Sequence, residues 1–579
     1  MGKKSILYLL IFILITSCSI VGQSIHELQS QYYQQYKFSS EEEYDALYNF
    51  QKQSLSQYNK NASCTLQKRV MGYYPYWQGT YYTTMNYTSL SCIAYFSYEV
   101  NPSTGSYTTV HFWKTTNLIP QAHANGVKVV LCATLFGSSN LTTFLSNASA
   151  RQRCIDSLVS LVQLRNADGV NIDFEGLPSS QKTNFTSFMN TLANEFHTKI
   201  PGSIVSIALP SVDWSNAYEV AAMTSVDEFY IMGYDYYYSG SSTAGPTGLL
   251  YYGSIWYTQC ASKSINDYLI KGIPKSKLHL AVPYYGYEWA TSSNAFNATT
   301  TGTGTSKTYA TAKSNAALYG YNYESQSQSA YYMYNSGGWK QCWYDDSTSL
   351  SKKYDVVLQR DIGGIGIWAL GYQGSNPELD NAIKNKFSTC GSVPCTYTFY
   401  DMGGPNGNYF NKEKWIYTIN PSGLNQVQLQ FTSFDLENNY DYLRIYDGAD
   451  TTMPLLANLT GNTLPPIYNS SNFALTLYFT SDNATVKPGW VAQWTCSPVT
   501  NLSNNNLQNS QIVVYPNPVQ ERLFFSSPVQ KIKVMDCMGR LIIEKGTDTQ
   551  IYLGDIPSGV YQISLIHNND TYQQKVIKY

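Results

Sequence analysis

The stretch Asp168-Gly169-Val170-Asn171-Ile172-Asp173-Phe174-Glu175 sets three polar side chains on alternate positions. On an extended strand successive side chains point to opposite faces, so Asn171, Asp173 and Glu175 share one face and Val170, Ile172 and Phe174 the other. A row of this kind is costly to bury without partners. Carboxyl groups crowded at this spacing raise one another's pKa, and a carboxyl held protonated near neutral pH can donate a proton to a leaving oxygen. The chemistry on offer is general acid–base catalysis, with Glu175 as the acid and Asp173 as its neighbouring anion. A charged strand end neutralised by nearby arginines is the structural alternative.

A strand needs neighbours to hold such a row. From about residue 67, short β-branched or aromatic runs alternate with turn-rich and amphipathic segments, a pattern of parallel strands joined by crossover helices. The predicted strands are 70–74, 92–98, 127–132, 169–174, 204–209, 228–232, 278–282 and 365–369. Eight of them imply an α/β fold, a (β/α)8 TIM barrel over residues 67–388, whose sites lie at the C-terminal strand ends. The long interval from Thr291 to Leu350 opens on a Ser/Thr/Gly/Asn-rich tract and reads as an insertion over the barrel mouth. Residues 390–497 lose the helical segments and read as a β-sandwich. A polar linker (498–511) and a second small all-β sandwich (512–579) follow. Residues 23–66 are polar and helix-compatible, with a start signal at Ser39-Ser40-Glu41, and acquire no role from sequence.

Bulk composition narrows the partners. The 37 basic and 39 acidic side chains nearly cancel, which provides no net field for nucleic acid, an anionic membrane or a polyanion. Aromatics reach 15%, and the 53 tyrosines are more than a core is expected to hide with every hydroxyl satisfied, so many should face solvent or ligand. Exposed rings with a polar tip suit a neutral sugar. Lys3-Lys4 followed by the apolar run Ile6–Ile15 reads as a secretory signal over residues 1–22, and no stretch approaches the length of a membrane span. Ile15-Thr16-Ser17-Cys18 also resembles a lipobox, in which Cys18 would be acylated. Export leaves ten cysteines where disulfides are permitted. Their scattered spacing, with six dispersed histidines and no HExxH, identifies no metal site.

The row on the predicted fourth strand resembles the DGxDxDxE signature of the family 18 glycoside hydrolases. Further strings are similar to that family in order along the chain: Met71-Gly72-Tyr73-Tyr74-Pro75-Tyr76-Trp77, Met232-Gly233-Tyr234-Asp235-Tyr236, Val282-Pro283-Tyr284-Tyr285-Gly286 and Gly366-Ile367-Trp368-Ala369. The resemblance implies a cofactor-free chitinase that retains configuration because the substrate's own 2-acetamido group is the nucleophile. It casts Glu175 as acid and then base and Asp173 as partner of the acetamido N–H. Asn171, Tyr234 and Asp235 complete the catalytic set, and Trp368, Tyr73, Asp168 and Met232 are its substrate-binding candidates. Two positions depart from the family: Asn171 replaces its middle aspartate, and Ala133-Thr134-Leu135-Phe136-Gly137 replaces S-x-G-G on the third strand. Asn171 can still hydrogen-bond Asp173 but cannot take up charge.

Residues 395–496 resemble a CUB domain through Phe434-Asp435-Leu436-Glu437, Tyr440-Asp441-Tyr442-Leu443, Tyr446-Asp447-Gly448, Phe479-Thr480-Ser481-Asp482 and Gly489-Trp490. That resemblance implies a calcium site at Glu437, Asp441 and Asp482, with solvated surface carboxylates as the alternative. Tyr515-Pro516-Asn517-Pro518, Gly539-Arg540 and Ile556-Pro557-Ser558-Gly559-Val560-Tyr561 look like a type IX secretion sorting domain, implying export by a dedicated machinery to the exterior or the cell surface. The expected substrate is chitin or another N-acetylglucosamine-containing polysaccharide. Peptidoglycan and glycoprotein glycans are alternatives, since DGVNIDFEG and Tyr285-Gly286-Tyr287-Glu288-Trp289 also resemble spore-lytic and chitobiase-like branches. A third possibility is a non-catalytic chitin-binding lectin, against which Glu175 argues.

Overall fold

Phe174 fixes which way the polar row faces. Its ring stacks on Phe188 of the helix Lys182–Lys199 at 5.8 Å and meets Phe144 edge-on. The apolar face of its strand is thereby committed to the surrounding helices, and Asn171, Asp173 and Glu175 turn inward. That strand is one of eight: β1 (Arg69–Pro75), β2 (Cys92–Val100), β3 (Lys128–Phe136), β4 (Gly169–Glu175), β5 (Ile204–Leu209), β6 (Glu228–Met232), β7 (Leu278–Pro283) and β8 (Gly364–Trp368). All pair in parallel in sequential order, and β8 and β2 flank β1 so that the sheet closes. Gly169 has φ +147, and a Cβ there would lie 2.0 Å from the Ile204 carbonyl oxygen, so β4 and β5 pack at their start only because this residue is glycine.

The computed structural model describes residues 23–47, 64–391, 395–421, 425–471, 473–498, 512–536, 540–567 and 570–579. The signal reading (1–22) and all of the linker reading (498–511) except Pro498, which ends a strand of the sandwich, lie outside them. The predicted barrel strands recur with small shifts at their ends: β3 runs on to Phe136, and β8 stops at Trp368, before Ala369.

The insertion begins earlier than the sequence reading placed it. Tyr285–Thr291, immediately after β7, is already the second strand of a five-stranded antiparallel sheet with Thr305–Thr308, Trp339–Tyr344, Ser329–Asn335 and Asn322–Glu324. The predicted barrel strand stops at residue 282, and the pairing of Tyr285–Thr291 with Trp339–Tyr344 and with Thr305–Thr308 puts this run in the sheet of the insertion. A fully buried ion pair, Lys353 to Asp345 at 2.7 Å, fastens the end of this sheet to the helix Ser347–Gln359.

Before the barrel, α1 (Ile25–Tyr33) starts at Ser24, whose Oγ accepts from the Glu27 N–H. A second helix, α2 (Glu41–Asp45), starts at Ser40, where the Ser39-Ser40-Glu41 signal put it. Cys64 and Cys390 join the two ends of the barrel. Beyond them, two four-stranded sheets face each other across Trp415, Phe479, Trp490 and Trp494, with Cys395 bonded to Cys496. This sandwich meets the barrel through buried Arg360, whose guanidinium lies 3.5 Å from Glu413 and donates to Asn266 at 3.1 Å. Residues 512–579 form a separate unit of two antiparallel sheets around Val519, Leu523, Ile532 and Leu565.

Tyrosine is less exposed than composition suggested. Tyr73, Tyr74, Tyr76, Tyr95 and Tyr98 are among the largest fully buried side chains. Several of their hydroxyls reach polar partners, Tyr73 donating to Asn171 Oδ1, Tyr74 to the Gly79 carbonyl and Tyr98 to that of Gly105, whereas the buried Tyr76 hydroxyl has none among the described residues.

Candidate active site

The β4 row sits at the C-terminal mouth of the barrel. Asn171 is level with Cys132 on β3 and Ser206 on β5, Asp173 with Thr134, and Glu175 with Phe136. Asn171 does not reach toward Asp173 as the sequence reading allowed. Its Oδ1 accepts from the Tyr73 hydroxyl at 3.1 Å and its Nδ2 donates to Ser206 Oγ at 2.9 Å. Asn171 and Asp173 are wholly buried, and Asp173 Oδ1 has no hydrogen-bond partner among the described residues. Thr134, in the strand segment that departs from the family, is buried and contacts Ser97 Oγ and the Tyr98 carbonyl.

What satisfies the row is a residue the sequence reading passed over. His26, in the first turn of α1, reaches into the mouth with no exposed surface. Its Nδ1 lies 2.8 Å from Asp173 Oδ2 and 3.1 Å from Glu175 Oε1, and its Nε2 lies 2.9 Å from the Tyr234 hydroxyl. Burial by itself would push the imidazole pKa down, but Asp173 and Glu175 outweigh it and raise it to about 10. The ring is therefore an imidazolium with both N–H groups donating. Burial chiefly, and Asp173 second, push the Glu175 carboxyl up to about 7, against the opposing pull of His26. The direction matches the sequence reading, but the main cause is the dry surroundings rather than the neighbouring carboxylate. The only sequence signal for this helix was the Ser24-x-x-Glu27 spacing of a capping box, which locates a helix start and says nothing of where the helix docks.

The remaining expected residues divide into two groups. Tyr234, Asp235, Trp368 and Tyr73 surround the imidazole: Trp368 lies against it at a centroid distance of 3.7 Å with the rings tilted by 33°, and Tyr73 and Tyr234 flank it at 5.9 Å each. Burial raises the Tyr73 and Tyr234 hydroxyls well above their ordinary range, which keeps both as neutral donors. Asp235, at φ +59, accepts from the Ile25 N–H at 3.3 Å and from the Tyr285 hydroxyl; burial raises its carboxyl to about 6. Met232 ends β6 two residues before Tyr234 and is nearly buried. Asp168 is a correction. It precedes the first residue of β4, seven positions and so roughly 20 Å of strand from Glu175. There it accepts from the Val129 N–H at 2.7 Å and pairs with His123 at 2.8 Å, which is structural work at the opposite end of the barrel.

In the sandwich, Glu437, Asp441 and Asp482 bring one oxygen each to within 4.8 Å of one another. Asp441 is buried, accepting from the Tyr409 hydroxyl and, at 2.8 Å, from the Asp482 N–H. Glu437 Oε2 is buried with no hydrogen-bond partner among the described residues. Hard oxygen donors with an unsatisfied oxygen among them fit a divalent cation such as calcium.

Replacing Asp173 by Asn keeps the packing but removes a charge that holds a proton on Glu175. In Asp173→Asn, carboxyl-carbon NMR titration, with the Glu175 resonance assigned through Glu175→Gln, should place the Glu175 pKa below about 7. An unchanged or higher value contradicts this electrostatic account.

Comparison with known proteins agrees with these observations. The sequence model described as glycosyl hydrolases family 18 matches residues 69–373, that of the CUB domain 392–494 and that of the secretion system C-terminal sorting domain 513–579. The last match makes the chain an exported protein. Chitotriosidase-1 of Mus musculus is 28% identical over 317 residues, 50% of this chain and 66% of the mouse protein. A putative sporulation-specific glycosylase of Bacillus subtilis is 23% identical over 41% of this chain and 54% of its own length. The chain thus spans between about half and two thirds of these curated relatives. The fold is similar to that of the class V chitinase from Nicotiana tobaccum, with TM-score 0.51 and 20% identity over 55% of this chain and 99% of the tobacco one. With its closed parallel barrel, its β4 carboxylates and a family match over more than half its length, the chain belongs to glycosyl hydrolases family 18.

Proposed function

We propose that the chain is an exported chitinase that hydrolyses β-1,4 bonds next to N-acetylglucosamine with retention of configuration. The supporting observation is a single dry space bounded by Glu175, Asp173, Tyr234, Asp235 and the Trp368 ring, which already holds a flat cation. Those are the demands of a substrate-assisted reaction. The Glu175 proton passes to the glycosidic oxygen as the bond to the anomeric carbon breaks. The 2-acetamido carbonyl oxygen closes on that carbon from within, giving a planar oxazolinium ion. Asp173 accepts the acetamido N–H and faces the positive charge, while the Tyr234 hydroxyl donates to the acetamido oxygen. Preorganised electrostatic stabilisation of this kind is usually the largest contribution to catalysis. The Glu175 carboxylate then takes a proton from a water that opens the ring from the opposite face, and the acid is regenerated. Tyr73 holds Asn171, and Trp368 is the floor under the sugar.

The polymeric character of the substrate draws support from Trp214. It lies on the loop after β5, is 79% exposed, and shares that loop with Tyr218, whose hydroxyl bonds the Phe174 carbonyl beside Glu175. An exposed indole there offers a stacking face to a further sugar. A second reading keeps the chemistry and changes the polymer to peptidoglycan or a glycoprotein glycan; similarity to the putative sporulation-specific glycosylase favours it. Release of reducing ends from colloidal chitin and from purified peptidoglycan separates the two. Chitin cleavage should fall about 10²–10⁴-fold in Glu175→Gln, the contribution expected of a general acid. Cleavage of peptidoglycan alone would transfer the mechanism to that polymer, and binding of both without cleavage would make the chain a lectin.

For the sandwich we propose calcium at Glu437, Asp441 and Asp482, with the buried Glu437 Oε2 as the supporting observation. Millimolar calcium should then raise the melting temperature of the protein but not of Asp441→Asn, because a ligand of the folded state alone stabilises it. Equal melting of the wild type with calcium and with chelator would refute the site.

A further inference from the structure

Each group just given a role at the cleavage point is engaged by one short segment of the chain itself. Asp173, Glu175 and Tyr234 are bonded to or paired with His26, Asp235 accepts from the Ile25 N–H, and the Trp368 face is covered by the His26 ring. The Trp368 indole N–H donates to Gln29 Oε1 at 3.0 Å, and the same oxygen accepts from Tyr372 at 2.8 Å. One turn further, Tyr33 stacks on Trp77 at 4.6 Å and an interplanar angle of 11°. His26, Gln29 and Tyr33 stand at i, i+3 and i+7, one face of α1. Gln31 and Tyr32 on α1, and Gln34 and Gln35 just after it, are exposed.

The match is chemical as well as spatial. The intermediate of the proposed reaction is a flat five-membered cation with an N–H directed at Asp173, and the imidazolium is also a flat five-membered cation with an N–H directed at Asp173. It lies on the same tryptophan and touches the same tyrosine hydroxyl. With His26 in place Asp173 has no exposed surface, and a sugar cannot lie on a Trp368 ring already covered at 3.7 Å.

Beyond the cleft the segment has a second seat. Asp45 of α2 accepts from both the N–H and the hydroxyl of Thr80, at 2.8 and 2.6 Å, and Tyr44 packs edge-on against Tyr76. Gly79, at φ +55, permits this contact, since a Cβ there would stand 2.2 Å from Asp45 Oδ1 and 2.7 Å from the Glu41 carbonyl oxygen. The loop after β1 is therefore shaped to the segment, and Cys64, further along the chain, is bonded to Cys390.

We propose that residues 24–47 are an autoinhibitory segment, holding the His26 imidazole where the sugar at the cleavage point must sit, so that substrate enters only when α1 leaves. The proposal rests on the reading of this cleft as the sugar site. Being tethered, the segment competes as an intramolecular ligand at high effective concentration. A segment closed about nine-tenths of the time divides the apparent affinity for substrate by about ten and leaves the rate at saturation unchanged.

The test compares the full chain with His26→Ala and with His26→Ala/Gln29→Ala/Tyr33→Ala, all folded on the same barrel. Initial rates are measured on a soluble N-acetylglucosamine tetramer, and tetramer binding is measured by calorimetry in the Glu175→Gln background. Both variants should show kcat/KM raised about tenfold or more through a lower KM, and tighter binding by the same factor. In the wild type, amide hydrogen exchange over Ile25–Tyr33 should accelerate when the tetramer saturates. Equal kinetics and binding in all three proteins overturn the proposal, and so does a slower His26→Ala, which would mean that His26 serves the chemistry. Tighter binding by the variants without hydrolysis by any form would leave the occlusion standing and remove the hydrolase reading. No binding by any form removes both.

Discussion

An anion that cannot reach water governs this molecule. Asp173 is wholly buried at the barrel mouth beside the Glu175 carboxyl, and one of its carboxylate oxygens has no partner among the described residues. A buried charge without compensation costs several kcal/mol, so a cation has to be supplied. In the structure it is the His26 imidazolium, and in the proposed reaction it is the charge that develops on the sugar. The requirement that makes the site catalytic therefore also makes it a receptor for a cationic side chain. The surrounding barrel serves that requirement: the outward apolar face of β4 holds the row inward, β3 and β5 supply Thr134 and Ser206 beside it, and Trp368 closes one side.

Much of this was legible in the sequence because it depends on local alternation. The period-two pattern of residues 169–175 gave the strand and its polar face, and the ordered motifs around Tyr73, Tyr234, Asp235 and Trp368 belong to strand ends that a closed barrel must bring to one rim. The sandwich carboxylates were named only through the resemblance to a CUB domain, and the fold brings an oxygen of each to within 4.8 Å of the others.

The rest depends on contacts far apart in the chain. His26 is 147 residues from Asp173 and 208 from Tyr234, and nothing in a short polar helix says what it will lie against. Asn171 was free by its chemistry to hydrogen-bond Asp173, but inter-strand register gives its amide to Ser206 and Tyr73, and register across a parallel pair is not written in either strand alone. Asp168 shows the converse error: it belongs to the motif in sequence, yet an extended strand carries it to the other end of the barrel from Glu175. The start of the insertion was placed too late because the alternation in Tyr285–Trp289 marks a strand without saying which sheet it joins.

The central claim is that one space serves both His26 and the sugar. The most direct measurement is a crystal structure of the full-length Glu175→Gln protein with an N-acetylglucosamine tetramer bound. The account predicts a sugar ring on Trp368, its acetamido N–H on Asp173 and its acetamido oxygen on the Tyr234 hydroxyl, with residues 25–33 displaced from the cleft. A tetramer bound elsewhere while His26 stays between Asp173 and Trp368 would contradict it.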